Sequence, residues 1–234
     1  MKASKEDLAA KLRVVGHSVV RVDARAKIAG EARYSADFLE VEALQGRILR
    51  SPYAHAEIVR IDVSKAAALP GVHAVVSFHD APAIPFEDGN DRLPNPIAPV
   101  YVLNRVVRHV GDEVAAVAAD TLEIADEALE KIDVEYQQLP FVLDAEAALA
   151  QGAPVVRGGV TNLADNRLIF FERGDAAAGL KEADLILEST YRTQSTSPLS
   201  LEPRYCVARC EGERLMVWKV CRHVHGDRNP LAKV

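Results

Sequence analysis

The chain has 234 residues, 49% of them hydrophobic and 26% charged, enough apolar material for one large domain or two modest ones. Its formal net charge is -6 at pH 7 and it has no polybasic run, which excludes a surface built to neutralise a nucleic-acid backbone. No stretch approaches the ~20 apolar residues of a membrane span. The opening MKASKEDLAAKLRVVG puts charges where a signal peptide needs an uninterrupted apolar core, so a cytoplasmic chain is expected.

Residues 1–13, rich in Lys, Glu and Ala, read as a short N-terminal arm. Ala43 to Leu49 and Glu57 to Val63 then alternate in the manner of half-buried strands and are expected to pair as a hairpin. Between them lies RSPYAHA, where Pro52 fixes its own φ and removes a ladder donor, so the strand must stop or bend. Arg50 and Tyr53 are expected to anchor that turn by hydrogen bonds. Ser64 is placed to cap a short helix over Lys65 to Leu69, which Pro70 and Gly71 end before the strand VHAVVSF.

Pro82 to Val100 carries five prolines and one glycine and reads as a surface loop. EVAAVAA follows as a strand. Asp120, with Glu123 three residues on, is the expected N-cap of a helix that puts Leu122, Ala125, Leu129 and Ile132 on one face. DVEYQQLP returns as a strand. A further helix over Ala176 to Ala183 leads into the alternating runs DLILESTYRTQ and RLMVWKV, which call for sheet partners. The segments do not recur at a fixed period, which excludes a solenoid.

Residue chemistry alone assembles no active site. Gly158 and Gly159 lack the further glycine and lysine of a phosphate loop, and no Gly-x-Ser-x-Gly elbow occurs. His17, His55, His73, His79 and His109 stand singly and read as surface or structural residues. Glu123, Asp126, Glu127 and Glu130 beside Lys131 read as the solvated face of their helix. Cys206, Cys210 and Cys221 form a late, odd cluster unlike a disulfide framework. Even with His223 and His225 nearby they lack the close Cys-x2-Cys pair of a zinc site, so no metal ligand and no catalytic residue is assigned.

Four blocks, VVRVDARAKIAGEARYSADF, GRILRSPYAHAEIVRIDVSKAAALPGVHAVVSFHD, VVRHVGDEVAAVAADTLEIADEALEKIDVEYQQLP and GDAAAGLKEADLILESTYRT, carry a resemblance in order and spacing. They resemble the N-terminal portion of the large subunit of the molybdenum hydroxylases: xanthine dehydrogenase, aldehyde oxidase, carbon monoxide dehydrogenase and 4-hydroxybenzoyl-CoA reductase. The resemblance implies an α+β fold, with an α/β hammerhead domain over 14–155 and the incomplete start of a molybdopterin-binding domain over 156–234. It implies oxidoreductase chemistry at molybdenum held by a pyranopterin, with a glutamate base far toward the C-terminus of the complete subunit. Partners implied are the remaining molybdopterin-binding domains and subunits carrying FAD and 2Fe-2S clusters.

Within the resembled cradle the candidate cofactor-facing residues are Gln194, Glu202 and Arg222. Thr196 and Pro198 stand where the family often has Gln and His before the Leu-Glu-Pro of SLEPR. Val220-Cys221-Arg222 replaces the common Ser-Thr-Gln, while His225, Arg228, Leu231 and Ala232 fit. An arginine cannot serve as a neutral amide that both donates and accepts, so this chain alone is expected to hold no cofactor and to be inactive. The alternatives are a free-standing hammerhead module with a binding or assembly role, and a truncated, decayed relative. An oligomer is expected through the apolar edge of residues 184–234.

Overall fold

The computed structural model describes residues 12, 14–40, 42–85, 101–157, 161–163, 171, 173–200 and 202–234. The expected N-terminal arm, apart from Leu12, the loop residues 86–100 and the Gly158-Gly159 pair lie outside them. In chain order the elements begin with α1 (Ala24–Ile28), a 3-10 turn (Ser35–Phe38), β1 (Gln45–Arg50), β2 (Ala56–Asp62) and α2 (Ser64–Ala67). Next come β3 (Val72–Ser77), β4 (Val106–Val107), β5 (Glu113–Ala119), α3 (Leu122–Glu130) and β6 (Asp133–Gln138). The last are α4 (Ala145–Leu149), α5 (Ala176–Glu182), β7 (Cys206–Glu211), β8 (Arg214–Lys219) and α6 (Val224–Leu231). Helix and strand are mixed as the α+β expectation requires.

Two compact units divide the chain. One joins Met1–Glu40 to Pro198–Val220, and the other joins Val41–Ser197 to Cys221–Val234. The larger unit holds two antiparallel three-stranded sheets, ordered β1-β5-β3 and β4-β2-β6. The expected hairpin of β1 with β2 does not form: β1 pairs with β5, and β2 pairs with β4 and β6. The RSPYAHA turn shows why. Ser51 donates its N–H to Asp112 O and accepts from Gly111 N, each at 2.8 Å, so the end of β1 is tied to the approach to β5 rather than turned back on itself.

Every polar anchor of that turn has a structural partner. Arg50 donates to Gly111 O at 2.7 Å and to Glu113 at 2.9 Å. Buried His55 is joined through Nδ1 to Pro140 O at 2.7 Å. Tyr53 anchors the turn through its backbone, its N–H donating to Ser51 Oγ, while its ring packs on Tyr136 with centroids 5.0 Å apart. The turn thereby serves topology.

Two helix caps also differ from the sequence reading. Thr121, not Asp120, caps α3, accepting the Ile124 N–H. Asp120 instead bonds His73 Nε2 at 2.7 Å, and its N–H reaches Gly71 O. Ser64 is the first helical residue of α2; Val63 holds the N-cap position without a side-chain cap bond, and the Asp62 carboxylate accepts the Ser64 N–H at 3.0 Å. At α3 the extended backbone of Thr121 aims its hydroxyl back at the orphan N–H groups, whereas at α2 the oxygen comes from Asp62, two residues before the first helical residue.

Small side chains draw α3 onto the first sheet. Ala125 and Ala128 are buried against Ala115, Val117 and Ala119 of β5, with Ala66 of α2 and Ile132 completing the cluster. Ala56, Ile58, Val107 and Val114 form a second core against Tyr53 and Tyr136. Residues 184–194, expected as a strand, are exposed and form no ladder. The alternation is there, but a strand exists only when a neighbour satisfies its N–H and C=O groups. In the smaller unit β7 and β8 pair through the turn at Gly212, whose φ of 61° favours glycine.

Candidate functional site

The smaller unit is held by a clasp between its two stretches of chain. Phe38 stacks on Trp218 with ring centroids 5.3 Å apart and planes 16° from parallel. Arg33 lies over the Phe38 ring, 4.1 Å from its centroid, and Arg209 lies 5.6 Å from the Trp218 centroid. Arg209 also pairs with Glu40 and Glu211, and the Glu40 hydrogen bond raises its pKa above the ordinary value. Alternation puts Arg209 and Val207 on the face of β7 that meets Trp218 and Met216 of β8.

Glu202, a candidate cofactor-facing residue, belongs to this clasp. Its Oε1 accepts from the Ser35 backbone N–H at 3.3 Å and from the Ser35 hydroxyl at 3.2 Å, and Ser35 is buried. The Ser200 hydroxyl donates to Glu202 O at 3.0 Å, closing the bend on its N-terminal side. The carboxylate therefore ties the 3-10 turn to the segment entering β7.

Gln194 and Arg222 belong to the larger unit, and both are exposed. Gln194 lies in the irregular stretch after α5, and Arg222 in the bend just before α6. His223 occupies the N-cap position of α6 without a side-chain cap bond, and His225 is exposed on its first turn. Thr196 and Pro198 are exposed as well. Cys206, Cys210 and Cys221 are free and exposed, and among the described residues no group of three or more potential metal ligands comes together.

Two of the three candidates do not fit a pyranopterin edge. The Glu202 oxygen is taken up by two Ser35 donors. Arg222 offers five N–H donors and no acceptor. Neither residue supplies the neutral donor-acceptor pair that a pterin edge requires; the side-chain amide of exposed Gln194 does. The clasp residues Ser35, Phe38, Glu40, Arg209 and Trp218 carried no sequence signal of their own, since Ser35 and Glu202 are 167 residues apart. RYSADF was visible only as part of a resembled block.

The described geometry is that of a two-sheet α+β domain followed by the first hairpin of another. The aldehyde oxidase and xanthine dehydrogenase a/b hammerhead domain matches residues 29–140, and the molybdopterin cofactor-binding domain matches residues 160–234. The chain belongs to the aldehyde oxidase and xanthine dehydrogenase family. It is 35% identical over 222 residues to the nicotinate dehydrogenase large molybdopterin subunit of Eubacterium barkeri, covering 94% of this chain and 50% of that protein. It is 34% identical over 242 residues to a probable hypoxanthine oxidase of Escherichia coli, covering 88% of this chain and 25% of that one. Its fold matches a crystal structure of the Cu,Mo-CO dehydrogenase with a TM-score of 0.70 at 29% identity, over 96% of this chain and 30% of the other. The chain thus spans between about a quarter and a half of these relatives.

Proposed function

We propose that this chain works as the N-terminal part of the molybdenum-cofactor-binding subunit of a molybdenum hydroxylase. We divide it into a hammerhead domain over 14–155 and the start of the cofactor-binding domain over 156–234. The observation that carries the reading is the succession of the two family domains in one chain, hammerhead then cofactor-binding. When bound in a complete subunit, the cofactor supplies the two-electron oxidation of an aromatic, heterocyclic or aldehyde substrate. The chain's own part is structural: Glu202 positions the first cradle hairpin through Ser35, while Gln194 and Arg222 face the remaining cofactor-binding portion. Chains carrying FAD and 2Fe-2S clusters complete the electron path, and the assembly is cytoplasmic.

The substitution of an arginine cation at position 222 for a neutral amide favours a second reading, an assembly module that never meets the cofactor. One experiment tests both. The 234-residue chain is expressed in a host that makes the cofactor, alone and together with the remaining cofactor-binding portion, and its molybdenum content is measured. The chain alone is expected to hold less than a tenth of an equivalent, and the combination close to one. Near-stoichiometric molybdenum on the chain alone overturns the proposal. Its absence from the combination leaves the assembly module.

A further inference from the structure

The helices lie on one face of the β1-β5-β3 sheet; on the opposite face Val114 is buried in the second core, and the positions beyond it are apolar and, among the described residues, partly or wholly open to solvent. Register aligns two cross-strand rows on that outer face: Ile48, Ala116 and Val76, then Gly46, Ala118 and Ala74. Ile48 is 44% exposed and Val76 39% exposed, and Gly46 and Ala74 are exposed as well. None of the six positions carries a polar side chain. An antiparallel sheet that faces water on one side ordinarily alternates apolar-in with polar-out, so a face apolar on both sides is built to be covered.

The dimensions select the occupant. Three strands at ~4.8 Å spacing and two rows ~7 Å apart make a patch on the order of 200 Å². That is well short of the ~800 Å² per partner of a stable dimer, and each copy carries a net charge of -6. It matches the footprint of two or three turns of a helix about 10–12 Å across. The same sheet already seats α3 on its other face by this geometry. Rows of Gly and Ala flanked by Ile and Val leave a shallow trough, so the complement must bring bulky apolar side chains. The relatives have at least half of their length outside the part this chain matches.

We propose that the outer face of the β1-β5-β3 sheet seats one amphipathic helix from the remaining cofactor-binding portion of the protein, held through large apolar residues three and four apart. This rests on the functional reading above. The test places the photo-cross-linker p-benzoylphenylalanine at position 76, and separately at 48, in the full chain expressed together with that portion. A control carries it at exposed position 135 of β6. After irradiation the joined peptides are sequenced.

Positions 48 and 76 are expected to capture one and the same peptide of the remaining portion, with apolar residues at helical spacing. Ile48→Lys is expected to cut the yield from position 76 at least tenfold. Capture of a second copy, of this chain's own residues, or of a flavin or iron-sulfur chain overturns the proposal, as does a yield no greater than at position 135. Molybdenum content of the same preparation separates the two failures. If it is stoichiometric while the cross-link goes elsewhere, only the docking face is wrong; if it is absent, the functional reading falls.

Discussion

Gly71 shows how one backbone position locks helix to sheet. Its φ is +84°, and a Cβ there would meet Ile124 Cδ1 at 2.8 Å and Asp120 Oδ2 at 3.1 Å. Gly111 has φ +97° but open space around it. Both incur the left-handed penalty of about 1–2 kcal/mol when replaced by alanine, and only Gly71 adds a steric one. The crowding atoms are the free ends of flexible side chains and can yield, so Gly71→Ala is expected to lower the thermal midpoint by only about 1–2 °C more than Gly111→Ala. Equal losses in the two melts would remove the steric argument. A carboxylate supplies the pH dependence at the same scale. Asp80 accepts the Ser77 N–H at 2.9 Å and the Ser77 hydroxyl at 3.0 Å, and these bonds hold its pKa below the ordinary 3.8. The unfolded chain then takes up this proton at a higher pH than the folded one. The stabilisation is complete above about pH 5 and is lost as the pH falls through the lowered folded value. Asp80→Asn is expected to lower the urea midpoint at pH 7, with the gap to the parent narrowing as the pH falls through the lowered folded value. A gap of constant size would mean that Asp80 acts through packing.

At the scale of the element, α3 tests which residue closes its N-terminus. Thr121→Ala is expected to cost about 1 kcal/mol and Thr121→Ser almost nothing, because the hydroxyl accepts the Ile124 N–H. Asp120→Ala removes a bond to His73 in which both side chains are more than half exposed, so it costs less than Thr121→Ala. Urea denaturation of the three variants decides, and a larger loss at Asp120 would restore the sequence-based cap. The one-residue error is instructive. Asp120, Thr121 and Glu123 all carry cap chemistry, and only the backbone decides which oxygen reaches the free N–H groups. The alternation of β1, β2, β3, β5 and β6 was legible because it is local, whereas their pairing was not. β1 finds β5 across more than sixty residues, through the ties of Ser51 to Gly111 and Asp112. The clasp of Phe38 on Trp218 was hidden for the same reason, and it gives Glu202 a structural partner that no spacing rule could supply. The family resemblance was legible because its four blocks keep order and spacing, and Arg222 was legible as a departure because a cation stands where that resemblance puts an amide.

The whole molecule carries more exposed apolar surface than an isolated monomer needs. Leu185, Leu187, Tyr191 and Leu199 are between 74% and 94% exposed, in a stretch whose alternation asks for a neighbouring strand. Such a segment presents both side chains and unpaired backbone groups, the combination that templates association. We expect the full chain to self-associate at tens of micromolar, an order-of-magnitude concentration for weak contacts. The control fragment follows from the hydrogen bonds. Ending near Gly158 would remove Asn162, whose amide donates to Ala148 O at 3.1 Å and Pro154 O at 2.9 Å, and would leave Phe38 without Trp218. Residues 42–163 keep both hammerhead cores and discard the exposed stretch. That fragment retains the outer face of the β1-β5-β3 sheet, whose area is too small to hold a stable dimer, so it is expected to be monomeric. Light scattering on both species over a tenfold dilution separates the contributions. A monomeric full chain shows that residues 184–200 are not an association edge. An associating 42–163 fragment moves the contact to the hammerhead, where the sheet face is the first surface to mutate.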